Sequence, residues 1–229
     1  MVAAPALGLA LWLGGGAPHT AQAQVPAWDA AITGSLLQAN GSARTRGTAL
    51  DANGNVFVTG LFNGSVRFGN TLLVSSGSTD LFVAKYVPAT NTWAWAVKGG
   101  GTDIDQGNAI AVSGTSVYVA GQIRNSLADA NNVRFGGTGA TAGTAVQHGA
   151  STDALTSDLV VAKYTDNGTS ATLGWTQVGG GSGPDFGAGV AVSGTSVYVT
   201  GTIANSLADG SSVRFGGAGT TPGTVAQHG

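Results

Sequence analysis

Three histidines, eleven aspartates and a set of aromatic residues are the groups from which this chain could build chemistry. His148 and His228 each sit in Gln-His-Gly, with Asp129 and Asp153 near the first, a set that could hold a metal or a sugar. Both triplets fall in a duplicated stretch, however, so copying alone explains their recurrence, and they are read as turns. Asp103-Ile104-Asp105 follows a glycine tract and offers oxygen donors of the kind calcium takes. Its copy is Gly183-Pro184-Asp185, with one carboxylate gone. Asp51-Ala52-Asn53-Gly54-Asn55 begins like an EF-hand loop, yet no glycine stands sixth and Phe62 replaces the closing Glu. Asp105 and Asp185 are therefore expected to accept backbone N–H groups at the entry to a structural unit, not to bind metal.

Catalytic sets fare no better. Cysteine is absent, which removes thiolate nucleophiles, disulfides and Cys-ligated metals. Gly99-Gly100-Gly101 and Gly179-Gly180-Gly181 would cradle a phosphate only ahead of a helix N-terminus. Each lies between strand-like segments instead, and is read as turning between units near a crowded axis. There is no nucleophile elbow. Paired carboxylates for glycoside hydrolysis are not supported either, since the duplicated Asp positions change with their turns. The expectation is a non-catalytic chain with no catalytic residue, no metal and no cofactor. Trp93, Trp95, Trp175, Tyr118 and Tyr198 could stack on sugars but are read as packing residues. Lys85 and Lys163 are read as solvated edge residues or as snorkelling over a neighbouring aromatic ring.

A repeat sets the elements that carry these groups. Ala-Val-Ser-Gly-Thr-Ser-Val-Tyr-Val occurs at Ala111–Val119 and again at Ala191–Val199, and a looser copy holds Val56–Gly60. Self-similarity at a fixed pitch marks units that bury their apolar faces on one another. Val117 and Val119 share a face while Tyr118 takes the other, the period of a strand. Asn53-Gly54 between apolar runs signals a hairpin. Asp80–Tyr86 and Asp158–Tyr164 form a third strand of the unit, and Trp93–Val97 and Gly174–Val178 a fourth. Val-Arg-Phe-Gly, at residues 66–69, 133–136 and 213–216, lies in the connection between second and third strands and is expected to make a short strand or hairpin of its own. The unequal lengths of these connections mark one face for binding.

Four antiparallel strands in meander order are the layout of a β-propeller blade. The expected fold class is therefore all-β, with about two and a half blades of an incomplete propeller. Blade 1 covers about residues 43–98, blade 2 about 105–178, and a partial blade 3 about 185–229, while 28–34 supply a strand completing another blade. An unpaired edge is expected after the second strand of blade 3. The order A-I-A-V, V-Y-V-x-G, variable connection, D-L-x-V-A-K-Y, W-x-x-x-x-G-G resembles the SBBP-type β-propeller repeat of secreted bacterial proteins, over about residues 28–229. That resemblance implies an exported chain belonging to a multi-repeat surface protein, and it brings no catalytic residues.

Only 9% of residues are charged and the net charge is −2, which gives no footprint for nucleic acid. Residues 1–23 read as a secretory signal peptide: the apolar run Ala6–Leu13 is too short to span a bilayer, and Ala21-Gln22-Ala23 fits a cleavage site. No Lys or Arg precedes the run. The mature chain, from about Gln24 to Gly229, is expected to be secreted or displayed at the cell surface, without a membrane span. The functional expectation is an exported scaffold or interaction module with a protein or glycan partner. Carbohydrate binding through the long connections is the alternative, and a propeller lyase or glycosidase stands third.

Overall fold

The computed structural model describes residues 35–36, 41–124, 133–139, 143–145, 156–181, 183–204, 214–217 and 224–225. The expected signal peptide, the strand at 28–34, and Asp129, His148, Asp153 and His228 lie outside them. In chain order the strands are β1 (Ser35–Leu36), β2 (Ser42–Leu50), β3 (Val56–Asn63), β4 (Ser65–Phe68), β5 (Thr71–Val74), β6 (Asp80–Val87), β7 (Thr92–Gly100), β8 (Gln106–Ser113), β9 (Ser116–Arg124), β10 (Arg134–Gly137), β11 (Thr144–Ala145), β12 (Ser157–Asp166), β13 (Ala171–Gly180), β14 (Phe186–Ser193), β15 (Ser196–Thr202), β16 (Arg214–Gly217) and β17 (Thr224–Val225). The protein is all-β. Its strands pair antiparallel in several sheets, none of which closes on itself among the described residues.

Local chemistry makes the hairpins. Asp51 Oδ1 accepts the N–H groups of Asn53 and Asn55 at 2.8 and 2.9 Å, and Gly54 turns the chain at φ +76°. Burial pushes the Asp51 carboxyl up, but the bonds from Asn55 and Asn53 hold it below its ordinary value. The loop that resembled an EF-hand start is thus a turn that consumes its own donors. Gly114 and Gly194 take φ +57° and +58°, so both copies of the nonapeptide fold into one hairpin, with Ser113 opposite Ser116 and Ser193 opposite Ser196.

Strands β2, β3, β6 and β7 form the expected meander, and β8, β9, β12 and β13 repeat it. Each meander is part of a larger sheet than the four strands expected, for both sheets have six, ordered β11-β10-β7-β6-β3-β2 and β17-β16-β13-β12-β9-β8. The Val-Arg-Phe-Gly segment does form a strand, but it leaves its own unit and pairs with the fourth strand of the preceding one. Arg134 stands opposite Gly100 and Phe135 opposite Gly99; Arg214 stands opposite Gly180 and Phe215 opposite Gly179. In the earliest copy β4 pairs with β1 in the same register, Ser35 opposite Arg67, and with β5 on its other side. The physical reason is the edge. A fourth strand left bare would expose a row of backbone donors and acceptors, and the following unit's connection covers it.

The glycine tracts are corrected with it. They close the fourth strands and are not turns at an axis; their missing side chains make room. A Cβ on Gly99 would lie 2.7 Å from the Phe135 ring, and one on Gly100 would lie 2.8 Å from both Asp105 Oδ2 and the Asp80 carboxyl.

The apolar core lies between sheets. Phe57, Leu81, Val83, Trp95 and Val97 of the first sheet pack with Ile110, Val117, Val119, Val160, Ala162 and Tyr164 of the second, joined by Phe135. On the other face of the first sheet, Phe62, Phe82, Ala84 and Ala96 pack with Val66 and Phe68 of β4 and Leu73 of β5. Each buried large side chain contributes roughly 1.5–3 kcal/mol, so stacked faces are what hold the units together.

The Gly99–Phe135 contact can be tested by thermal unfolding. Gly99→Ala should destabilise the protein by about 1–3 kcal/mol through overpacking. In a Phe135→Ala background the same change should cost much less, and equal costs in both backgrounds would show that the contact is unimportant.

Candidate functional site

The aspartates weighed as calcium ligands form clasps between units. Asp105 is buried; its Oδ2 accepts the Gly101 N–H at 2.7 Å and its Oδ1 the Arg124 N–H at 3.0 Å, while its own N–H donates to Thr79 O at 2.8 Å. Asp185 repeats the pattern with Gly181 at 2.7 Å, Ala204 at 2.6 Å and Ser157 O at 2.6 Å. The expected role, accepting backbone N–H groups at the entry to a unit, is what both perform. Asp103 lies apart from this role, 3.5 Å from Arg124 Nε.

A second carboxylate crowds the first clasp. Asp80 is fully buried; its Oδ2 accepts the Ser76 N–H at 2.9 Å and lies 3.5 Å from Lys98 Nζ, while its Oδ1 has no hydrogen-bond partner. Lys98 itself is held by Val74 O at 2.6 Å and Ser76 Oγ at 2.7 Å. Burial pushes Asp105 up to about 8, against its backbone hydrogen bonds and with help from the Asp80 and Asp103 charges. Burial likewise pushes Asp80 up to about 6, against the Ser76 bond and Lys98. Burial raises Asp185 as well. All three carboxyls are buried, and their hydrogen bonds tie one strand end to the next.

The aromatic and lysine residues are mostly inside. Trp95 is buried, meets Phe57 edge to face at 6.0 Å and donates from Nε1 to Asp166 Oδ1 at 2.8 Å. Trp93 packs on Phe68 and Tyr86, and Tyr118 on Trp175. Tyr198 departs from the packing expectation: it is 60% exposed, because no third strand lies beside β15 among the described residues. Lys163 Nζ sits 5.6 Å over the Tyr118 ring, as snorkelling requires. Lys85 sits 5.5 Å over Phe57, but it is buried and paired with Asp166 at 2.6 Å, so edge solvation does not describe it.

One open cleft with polar lining was not singled out by the sequence. β2, β8 and β14 each carry a β-bulge at one register. Pairing runs Thr45–Gly60 then Gly47–Thr59, Gly107–Gly121 then Ala109–Ala120, and Gly187–Gly201 then Gly189–Thr200. Bulges re-aim side chains, and the three skipped residues, Arg46, Asn108 and Ala188, line one open cleft of about 510 Å³ with Gln122 and Phe186. Arg46 Nη1 donates to Asn108 Oδ1 at 3.3 Å, and Asn108 Nδ2 donates to Gly187 O at 2.8 Å. The lining thus offers a guanidinium, two amides and a 36% exposed phenyl ring, suited to hydrogen bonding and stacking. Close glycine packing brings the strands together here. A Cβ on Gly47 would lie 3.1 Å from Ala109 Cα, and one on Gly187 3.1 Å from Ala120 Cβ. A glycine beside each bulge residue is the only trace of the site in the sequence.

Neither protein-family models nor curated proteins give a match to this chain.

The raised aspartates predict a pH dependence. Unfolded, Asp80 and Asp105 return to about 3.9, so between about pH 4 and pH 8 the folded chain holds protons that the unfolded chain releases. Stability is then greatest at the acid end of that window and declines as pH rises through about 6 and 8. Melting temperatures at pH 5 and pH 8 should show it, and Asp80→Asn should flatten the slope. A Tm that climbs from pH 5 to pH 8 would contradict the assignment.

Proposed function

We propose that this chain is a non-catalytic, exported scaffold of β-propeller type, serving surface adhesion or assembly through an interaction face. The observation that carries the reading is the division of labour among equivalent positions. Residues shared between units, such as Asp105 and Asp185, lie buried in the joints, whereas the bulge register delivers unlike side chains, Arg46, Asn108 and Ala188, to one open cleft. Recurrent four-stranded meanders that stack by their faces support the propeller reading, as does the motif order that resembles SBBP-type repeats. The apolar run and the Ala-x-Ala pattern at the N-terminus support export. No helix among the described residues is long and apolar enough to cross a membrane.

One observation favours carbohydrate as the partner. Phe186 beside Arg46, Asn108 and Gln122 joins an aromatic face to planar hydrogen-bonding groups, the combination that fits the C–H face and hydroxyls of a sugar ring.

The test begins with expression of the whole chain in an exporting host and mass measurement of its N-terminus, expected near Gln24. A glycan array then separates the readings. A scaffold with a protein partner gives no saturable signal. A lectin gives one that Arg46→Ala and Phe186→Ala each weaken by roughly two- to tenfold. Turnover of a polysaccharide, lost in a folded Asp105→Asn variant, would overturn the non-catalytic reading.

A further inference from the structure

We infer that the outward face of the second sheet, with the free edge of β15, seats an extended segment of pattern Asp-Leu-x-Val-Ala-Lys-Tyr-x-Asp, the pattern of Asp158–Asp166. The first two units show how such an edge is filled. β6 covers β3 from Val56–Tyr86 to Phe62–Asp80, and β12 covers β9 from Ser157–Arg124 to Thr165–Ser116. β15 has only β14 as a neighbour among the described residues. The consequence is visible in the copies: Tyr118 is 6% exposed and Tyr198 60%. Beside the bare edge lies a groove of about 410 Å³, lined by Leu159, Val161, Val178, Val199 and Ile203.

The neighbouring seat, already filled, defines the chemistry of the occupant. On the face of the first sheet that meets the second, Lys85 stands opposite Trp95 with Phe57 beside both. On the outward face of the second, Lys163 stands opposite Trp175 with Tyr118 beside both, at matching spacings: 5.5 and 5.6 Å from ammonium to ring, 6.0 and 6.1 Å from ring to ring. In the filled seat Asp166, two residues beyond Tyr164 on the covering strand, takes both polar groups. It accepts from Lys85 Nζ at 2.6 Å and from Trp95 Nε1 at 2.8 Å. Among the described residues no carboxylate meets Lys163 and no acceptor meets the Trp175 indole.

The open seat therefore offers an apolar groove, a strand edge with no neighbour among the described residues, and a cation with an indole donor. An antiparallel strand that ends in Asp complements all three. By the register of β9 with β12, the occupant's x, Ala and Tyr stand opposite Gly201, Val199 and Val197. In the filled seat the equivalent residues of the covering strand, Val160, Ala162 and Tyr164 of β12, are buried in the apolar interface that joins the first two sheets. Seating such a strand requires only the likeness of the two faces, neither the closure of a ring nor a glycan ligand.

The probe is a fluorescent Asp-Leu-Val-Val-Ala-Lys-Tyr-Thr-Asp peptide, titrated against the whole chain by anisotropy. Saturable binding is expected, and replacing the peptide's last Asp with Asn should weaken it about tenfold. Against Lys163→Met the two peptides should bind alike, which assigns the coupling to that pair. Val199→Asp, checked for an unchanged β-sheet circular dichroism spectrum, should abolish both. Binding of a scrambled peptide as tight as the parent, no binding to the folded chain, or a dimer the peptide cannot dissociate would each overturn the proposal.

Discussion

Two buried aspartates, Asp105 and Asp185, hold together a chain that must leave one sheet and enter the next. At that crossing the backbone N–H groups of Gly101 and Arg124, and of Gly181 and Ala204, turn inward with no strand to accept them. Buried backbone donors without partners are costly, and a carboxylate with two oxygens answers two at once. The joint has its own cost, since each carboxyl sits where water cannot reach and is held above its ordinary value. At the first joint Asp80 adds a second carboxylate, tempered by Lys98. Burial therefore favours the protonated form of these carboxyls, against the backbone hydrogen bonds that favour the charged one.

The other constraints follow from this crossing. To bring two carboxyls and a phenyl ring against the end of a fourth strand, that strand must lack side chains, which accounts for Gly99 and Gly100. The same end then has an open edge, and the Arg134–Gly137 strand of the next unit pairs with it. Neighbouring units are consequently joined three ways: by a clasp, by an exchanged strand and by a shared apolar face. The Lys85–Asp166–Trp95 contact adds a polar tie whose partners come from two units. Close glycine contacts at Gly47, Gly107 and Gly187 let the first strands approach near their bulges. That approach gathers Arg46, Asn108 and Ala188 into one cleft.

Local interactions made much of this legible in advance. Alternation of apolar residues marks the strands, because a strand's period is a property of its own backbone. Asn53-Gly54 and Ser113-Gly114-Thr115 mark hairpins, because positive φ is a property of the turn residues themselves. The role of Asp105 was also readable: a single carboxylate kept in a turn that loses its neighbour, as the copy Gly183-Pro184-Asp185 does, is better suited to backbone donors than to calcium. The described face of the candidate site left almost no trace, since a bulge is a mismatch between two strands and only their pairing reveals it.

The sequence by itself determined that the chain is β, where its hairpin turns fall, and that its segments recur. Tertiary structure alone decided which sheet each Val-Arg-Phe-Gly strand joins, that Lys85 is buried against Asp166 while Tyr198 stays exposed, and that three bulge residues share a cleft. The physical reason is range. Dihedral preference and side-chain period act over a few residues, whereas an open edge, a bare face or a desolvated carboxyl exists only after distant strands have been brought together.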